Sequence, residues 1–272
     1  MITTALRPLQ FASFARAPRV RHGITGRAVG LWRDGDTSYS TGGDAAEVFA
    51  NRRSWAASIS LDAAAIVAVR QVHGNAVACV TAHDRGRGAR SAPTAAIPTA
   101  DALITDTPDT PLLLSFADCT PLVFHDPVRG VVGLAHAGWR GTVADIAGET
   151  VRALVAHYGS SPTDLLVGIG PAIGRCCYLV DEPVIAAWQA LDMPDTATIE
   201  EVAPAGGRRQ WRFDLARANR LLLQRAGVAA VQIEDAAICT ACHVARYPSH
   251  RAEAGRAGRF AALIGLTPHD AP

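Results

Sequence analysis

Seven short apolar runs set the rhythm of the chain's middle: Ala64–Val72 (AAIVAVRQV), Ala76–Ala82 (AVACVTA), Ala100–Asp106 (ADALITD), Pro111–Ala117 (PLLLSFA), Pro121–Asp126 (PLVFHD), Gly130–His136 (GVVGLAH) and Leu165–Gly170 (LLVGIG). Each is too short for a typical helix, and turn-forming residues lie close by, so each predicts a strand. Two helices are legible from their ends. Thr142 with Asp145 resembles a capping box opening a helix to about His157. Asp214 can cap a second helix over Leu215–Gly227, closed by Gly227. Asp84–Ala100 and Met193–Gln210, rich in Gly, Pro and polar residues, are predicted as exposed loops. There is no internal repeat, and the apolar runs on both sides of these loops look like parts of one core. The expectation is a mixed α and β fold.

Three of the predicted strands end in a side chain that an apolar core does not need. Val67–His73 runs into His73 before Gly74–Asn75, Leu112–Asp118 runs into Asp118–Cys119 before Pro121, and Val131–His136 ends at His136 before Gly138. Two imidazoles and a thiolate form a borderline-soft donor set that suits zinc. Three protein ligands leave a fourth tetrahedral position open to water, which marks a catalytic rather than a structural ion. Asp118 could orient a ligand or act as general base. Taken singly, each residue has an ordinary alternative: a hydrogen-bonded histidine, or a small buried thiol. Arg140 stands between a strand end and a helix start, where free N–H groups attract anions, or packs on the surface over Trp139.

Composition narrows the field. The chain has 272 residues, 49% of them hydrophobic, and a net charge of +1. That length and apolar share allow a sizeable core, and the balanced charge gives no electrostatic case for nucleic acid or an anionic membrane. No stretch reaches the roughly 18 apolar residues of a membrane span. Arg7, Pro8, Arg16, Pro18 and Arg19 interrupt the N-terminal segment, so no signal peptide is expected and the cytoplasm is the expected location. All 26 basic residues are arginine, which excludes a Schiff-base lysine and a lysine-bearing phosphate loop. Six cysteines (Cys79, Cys119, Cys176, Cys177, Cys239 and Cys242) are expected as thiols or ligands rather than disulfides. Cys239–His243 (CTACH) has haem-attachment spacing and a C-x-x-C pair. With no signal peptide, and with Cys176–Cys177 at the wrong spacing for a second knuckle, these are expected to be plain thiols at a strand-to-loop transition.

The segments RQVHGN, ADALITD, FADCTPLVFHDP, GLAHAGWRG and GIGPAIGRCCYLV, in this order, resemble the laccase-like multicopper polyphenol oxidoreductase family. That family is also described as purine nucleoside phosphorylases and includes a bacterial peptidoglycan editing factor. The resemblance runs from about His22 to Leu266. It implies a single α+β domain with a layered α/β/β/α arrangement and mixed sheets, here residues 1–272 with 1–20 as an N-terminal extension. It implies zinc on His73, Cys119 and His136, with copper a possible substitute. It also implies phosphorolysis of adenosine, inosine, guanosine and methylthioadenosine, plus adenosine deamination, with purine nucleoside and phosphate as partners. HGITGR is similar to the family's amino-terminal arginine motif and points to Arg27. YPSHRAEAGRAGR is similar to its carboxy-terminal segment and points to Ser249 and Arg251.

The chain departs from the family after Arg27, at Leu179 and at Pro248, departures that bear on substrate preference. The catalytic set expected is His73, Asp118, Cys119 and His136, with Arg27, Arg140, Ser249 and Arg251 for phosphate or substrate. The runner-up is an amidase editing a cytoplasmic peptidoglycan precursor at the same site, with zinc or with Cys119 as nucleophile and His136 as base. Copper-dependent phenol oxidation would strain the chain's nine histidines, many of them in loops. A non-catalytic zinc module would close the fourth position.

Overall fold

The computed structural model describes residues 6–92, 99–193, 196–205 and 208–268. In chain order it runs through β1 (Val20–Ile24), α1 (Ala45–Ala57), β2 (Val67–Ala68), β3 (Val77–Cys79), β4 (Ala102–Thr105), β5 (Leu112–Phe116), β6 (Thr120–Asp126) and β7 (Val131–Ala137). There follow α2 (Trp139–Val143), α3 (Ile146–Tyr158), β8 (Leu166–Ile169), β9 (Leu179–Val180), α4 (Glu182–Gln189), β10 (Ile199–Ala205), β11 (Arg208–Phe213), α5 (Leu215–Arg225), β12 (Ile233–Asp235) and β13 (Phe260–Leu266).

Strand periodicity explains the layering. In β7, Val132 and Leu134 face the core shared with Leu112, Leu114 and Phe116 of β5 and Phe260, Ala262 and Ile264 of β13. The alternate residues Val131, Ala135 and Ala137 face α3 and α5. A strand buried on both sides reads as continuous apolar sequence, which is why these runs show no alternation. A mixed six-stranded sheet, in the order β12-β8-β6-β7-β4-β3, thus stacks on a mixed four-stranded sheet, β1-β13-β5-β2. Helix α1 covers the outer face of the smaller sheet through Ala56, which meets Leu113 and Leu263. The result is the expected α/β/β/α arrangement. Each fully buried large apolar side chain here contributes about 1.5–3 kcal/mol. Among the described residues no helix is long and apolar enough to cross a membrane.

Several local expectations change. The Ala64–Val72 run pairs as a strand only at Val67–Ala68. Beyond it, the Gln71 side chain exchanges both amide bonds with the Ser115 backbone, at 2.9 Å each, and fixes the chain after it has left the sheet. Thr142 and Asp145 do not form a capping box. Asp145, at φ 61°, caps α3 itself by accepting from Gly148 N, while Thr142 is buried at the end of α2 and accepts from Asn219. Asp214 caps α5 as expected, accepting from Arg217 N, and Gly227 follows at φ 97°.

The predicted loop Met193–Gln210 instead contains β10 and the start of β11, a ribbon held in part by the Arg209–Glu201 ion pair; residues 194, 195, 206 and 207 lie outside the described residues. Its exposed charged positions hide the strand pattern. Of the other predicted loop, 93–98 lies outside the described residues. The N-terminal extension is part of the core from Leu9 onward: Leu9 bridges Ile24, and Phe11 and Phe14 are buried between the sheets.

Candidate active site

At the open end of the sandwich, three segments deliver one donor atom each. His136 lies within β7, on the face that carries Val132 and Leu134. Cys119 sits in the turn between β5 and β6. His73 occupies the connection between β2 and β3 at φ 64°, a left-handed conformation. The donor atoms of His73, Cys119 and His136 all lie within 4.8 Å of one another. The two imidazole rings meet edge-on at 4.8 Å between centroids. Gly138 leaves the space for this convergence: a Cβ there would fall 2.9 Å from Cys119 Sγ and 3.1 Å from His73 Cδ2.

Asp101, fully buried just before β4, holds the group together. Its carboxylate accepts from the backbone N–H groups of Val72 (3.1 Å), His73 (3.0 Å) and Gly74 (2.7 Å), and lies 2.9 Å from His136 Nδ1. One carboxylate therefore shapes the His73 loop and turns the other nitrogen of His136 toward Cys119, as an outer carboxylate does for a metal-binding histidine. Burial disfavours ionisation of the Cys119 thiol. The His136 imidazole, with His73 behind it, outweighs burial and brings the thiol down to about 6. Burial likewise opposes the His136 imidazolium, yet Cys119 and Asp101 raise it to about 9. Both shifts run toward a thiolate–imidazolium pair. Its two imidazoles and one thiolate are the donors a zinc-type ion takes.

These three side chains open into a cavity of about 660 Å³, within the range of small-molecule sites. Arg70, Gln71, Tyr178, Arg251 and Arg259 line it, with Asp118 beside the ligands. Asp118, at φ 83°, accepts from Thr240 Oγ1 (2.6 Å) on one oxygen and from Arg251 N (2.7 Å) on the other. Arg251 also donates to the Leu179 carbonyl at 2.9 Å and lies over the Tyr178 ring. Burial, with Cys119 close by, pushes the Tyr178 hydroxyl up to about 12, so the ring reaches the cavity as a neutral donor.

The remaining candidates lie elsewhere. Arg27 is not among the cavity residues; it lines a neighbouring cleft, paired with Glu253 at 2.6 Å and Asp34 at 3.4 Å. Arg140 is exposed and stacked over Trp139, outside the cavity lining, although its charge is felt at Tyr178. Ser249 is fully buried and serves the local turn, its hydroxyl accepting from Ala252 N. Sequence reasoning passed over Asp101, whose signal was an acid heading an otherwise apolar strand. It also passed over Arg70, adjoining the QVHG motif, and Arg259. The cysteines of CTACH are free thiols as expected, and Cys239 and Cys242 group with Cys176 and Cys177, all four sulfurs within 4.8 Å of one another.

Comparison with known proteins agrees with this architecture. The chain is 39% identical over 256 residues to purine nucleoside phosphorylase YlmD of Geobacillus stearothermophilus, covering 94% of this chain and 91% of that protein. It is 39% identical over 221 residues to the Bacillus subtilis protein of the same name, covering 81% and 78%. The crystal structure of Bacillus licheniformis hypothetical protein YfiH superimposes with a TM-score of 0.84 at 36% identity, covering 91% of this chain and 93% of that one. The structure of the Geobacillus YlmD gives the same TM-score at 35% identity, over 97% and 100%. Residues 20–267 match the family described as multi-copper polyphenol oxidoreductase laccase, and the chain belongs to that family.

Proposed function

We propose that the chain is a zinc-dependent purine nucleoside phosphorylase that also deaminates adenosine. The observation that carries this reading is a three-ligand group, His73, Cys119 and His136, opening into a cavity rimmed by arginines. The relatives named purine nucleoside phosphorylase supply the substrate class. Bound zinc supplies a Lewis acid that polarises substrate or activates water. Arg70, Arg251 and Arg259 bind phosphate, for which a guanidinium fork is suited and cannot itself titrate. Asp118 keeps acceptor capacity beyond its two donors and moves the proton between substrate and solvent. Tyr178 offers its hydroxyl as a donor to the base or the ribose. A non-catalytic zinc module is disfavoured because the ligands face a cavity rather than a fourth protein group. Several copper centres are disfavoured because, among the described residues, the other ligand group contains no histidine.

A second reading rests on the Cys119–His136 pair. A thiol at about 6 beside an imidazole at about 9 is poised for nucleophilic attack. An amidase acting on a peptidoglycan precursor would use it. The test is metal content together with phosphate-dependent release of adenine from adenosine. The expected result is zinc at the triplet and adenine release that requires phosphate. Cys119→Ala should lose both phosphorolysis and deamination while its circular dichroism is unchanged. Zinc without nucleoside turnover would transfer the assignment to the amidase, and turnover retained in a folded Cys119→Ala variant would remove the site.

A further inference from the structure

We infer that Cys176, Cys177, Cys239 and Cys242 form a second metal site, a closed four-thiolate centre for a zinc(II) ion. Cys176 and Cys177 lie in the turn after β8, and Cys239 and Cys242 lie in the segment after β12; fold topology alone brings the two pairs together. Cys242 Sγ is 3.6 Å from Cys176 Sγ and 3.4 Å from Cys177 Sγ. Four sulfurs around zinc at about 2.3 Å stand about 3.8 Å apart at the corners of a regular tetrahedron, so small side-chain shifts complete the shell. A multi-iron cluster would spread its cysteines more widely than this single group, in which no pair exceeds 4.8 Å.

Two further features point to thiolate ligands rather than incidental thiols. Cys239 Sγ accepts from the backbone N–H of Gly174 at 3.2 Å. A backbone N–H aimed at a sulfur stabilises a charged ligand, as charge-assisted hydrogen bonds do. Gly174 also supplies clearance: a Cβ there would lie 3.0 Å from Cys239 Cβ and 3.3 Å from Cys176 Sγ. A Cys176–Cys177 disulfide would strain the intervening peptide. Each thiol that binds releases its proton to solvent, and no electron moves.

The centre joins two walls of the cavity. Ile173 and Tyr178 flank the first cysteine pair and line the cavity. Thr240, between the second pair, donates to Asp118, and Arg251 follows farther along the same segment. With four protein ligands the ion has no open position, so its work is structural.

The test counts metal in the full-length chain and follows cobalt(II) by absorption. Wild-type protein should hold two zinc ions, and the double variant Cys239→Ser, Cys242→Ser should hold one. Cobalt added to metal-stripped wild type should give the intense charge-transfer band of four thiolates. That band should persist in His136→Ala, which disables only the triplet, and vanish in the cysteine double variant. Persistence in His136→Ala keeps the result independent of the nucleoside reading, and that arm decides the matter even if the cysteine variant does not fold. Equal zinc counts in wild type and double variant would overturn the proposal. So would the absence of the band in folded His136→Ala, or disulfides within this group found by mass spectrometry of unreduced protein.

Discussion

His136 in β7 and His22 in β1 are almost equally buried, 4% and 5% exposed, and each ring lies against phenylalanine: Phe116 for His136, Phe11 and Phe14 for His22. They titrate in opposite directions. His136 meets two anions, Asp101 and Cys119, which overcome burial and favour the imidazolium. At His22 burial dominates, the Glu234 charge compensates only partly, and the value falls to about 4. Its Nε2 accepts from Phe11 N at 2.7 Å, a bond that only the neutral ring can make. The same residue type at the same depth is thus a donor in a three-residue metal-type group in one place and a core hydrogen-bond acceptor in the other. With burial alike, the charge of the immediate neighbours decides the direction.

The largest expected effect comes from removing each ring in turn. On the proposed reading, His136→Ala should lower kcat/KM for phosphorolysis at least about a thousand-fold, because an ion held there would supply several kcal/mol of transition-state stabilisation. Its unfolding midpoint should change little, since Asp101 keeps three backbone donors. His22→Ala should do the reverse, leaving turnover within about twofold while stability drops by about 1–3 kcal/mol through the orphaned Phe11 N–H. Kinetics and urea melts on both variants measure this. Loss of turnover in a folded His22→Ala variant would break the contrast.

Acid separates the two on a smaller scale. Folded His22 stays neutral down to about pH 4, while the unfolded chain takes up that proton near 6.5. Between those values the unfolded state binds more protons, so stability falls as pH falls. The His22 contribution is complete above about 6.5 and lost below about 4, roughly 3 kcal/mol in all. Urea midpoints from pH 7 to pH 4 should therefore decline more steeply in wild type than in His22→Gln. Parallel slopes would show that His22 ionises as easily in the fold as outside it.

These two histidines also mark what the sequence could disclose. His73, Cys119 and His136 were legible because each interrupts an apolar run near turn residues, and the family resemblance carried by QVHG, ADC and HAGWRG implied the layered fold. The middle strands were legible because strands buried on both faces are continuously apolar. The β10–β11 ribbon was not, because its half-exposed positions carry charge. Which arginines face the cavity was not legible, because sequence does not tell an arginine lining it from one paired with Glu253 and Asp34, as Arg27 is, or stacked on Trp139, as Arg140 is. The four-cysteine group was hidden by distance along the chain: 62 residues separate Cys177 from Cys239 (239 − 177), and local spacing rules do not see across that interval.

The smallest effect probes why the two imidazoles differ. Asp101 is the one anion that touches His136 and also holds the His73 loop, so its charge and its acceptor geometry act together. Asp101→Asn keeps the size and removes the charge. It also points an NH2 group at a ring of donors, so either the amide loses backbone bonds or His136 loses its orienting partner. The expected result is metal affinity weakened by about 10–100-fold, as for other outer-shell partners of ligating histidines. Competition with a chromophoric chelator reads the affinity directly. Turnover should recover largely when zinc is added to excess, because the three ligands remain. A merely structural role would lower stability without shifting affinity and would show no such rescue. Unchanged affinity would mean that β7 alone orients His136.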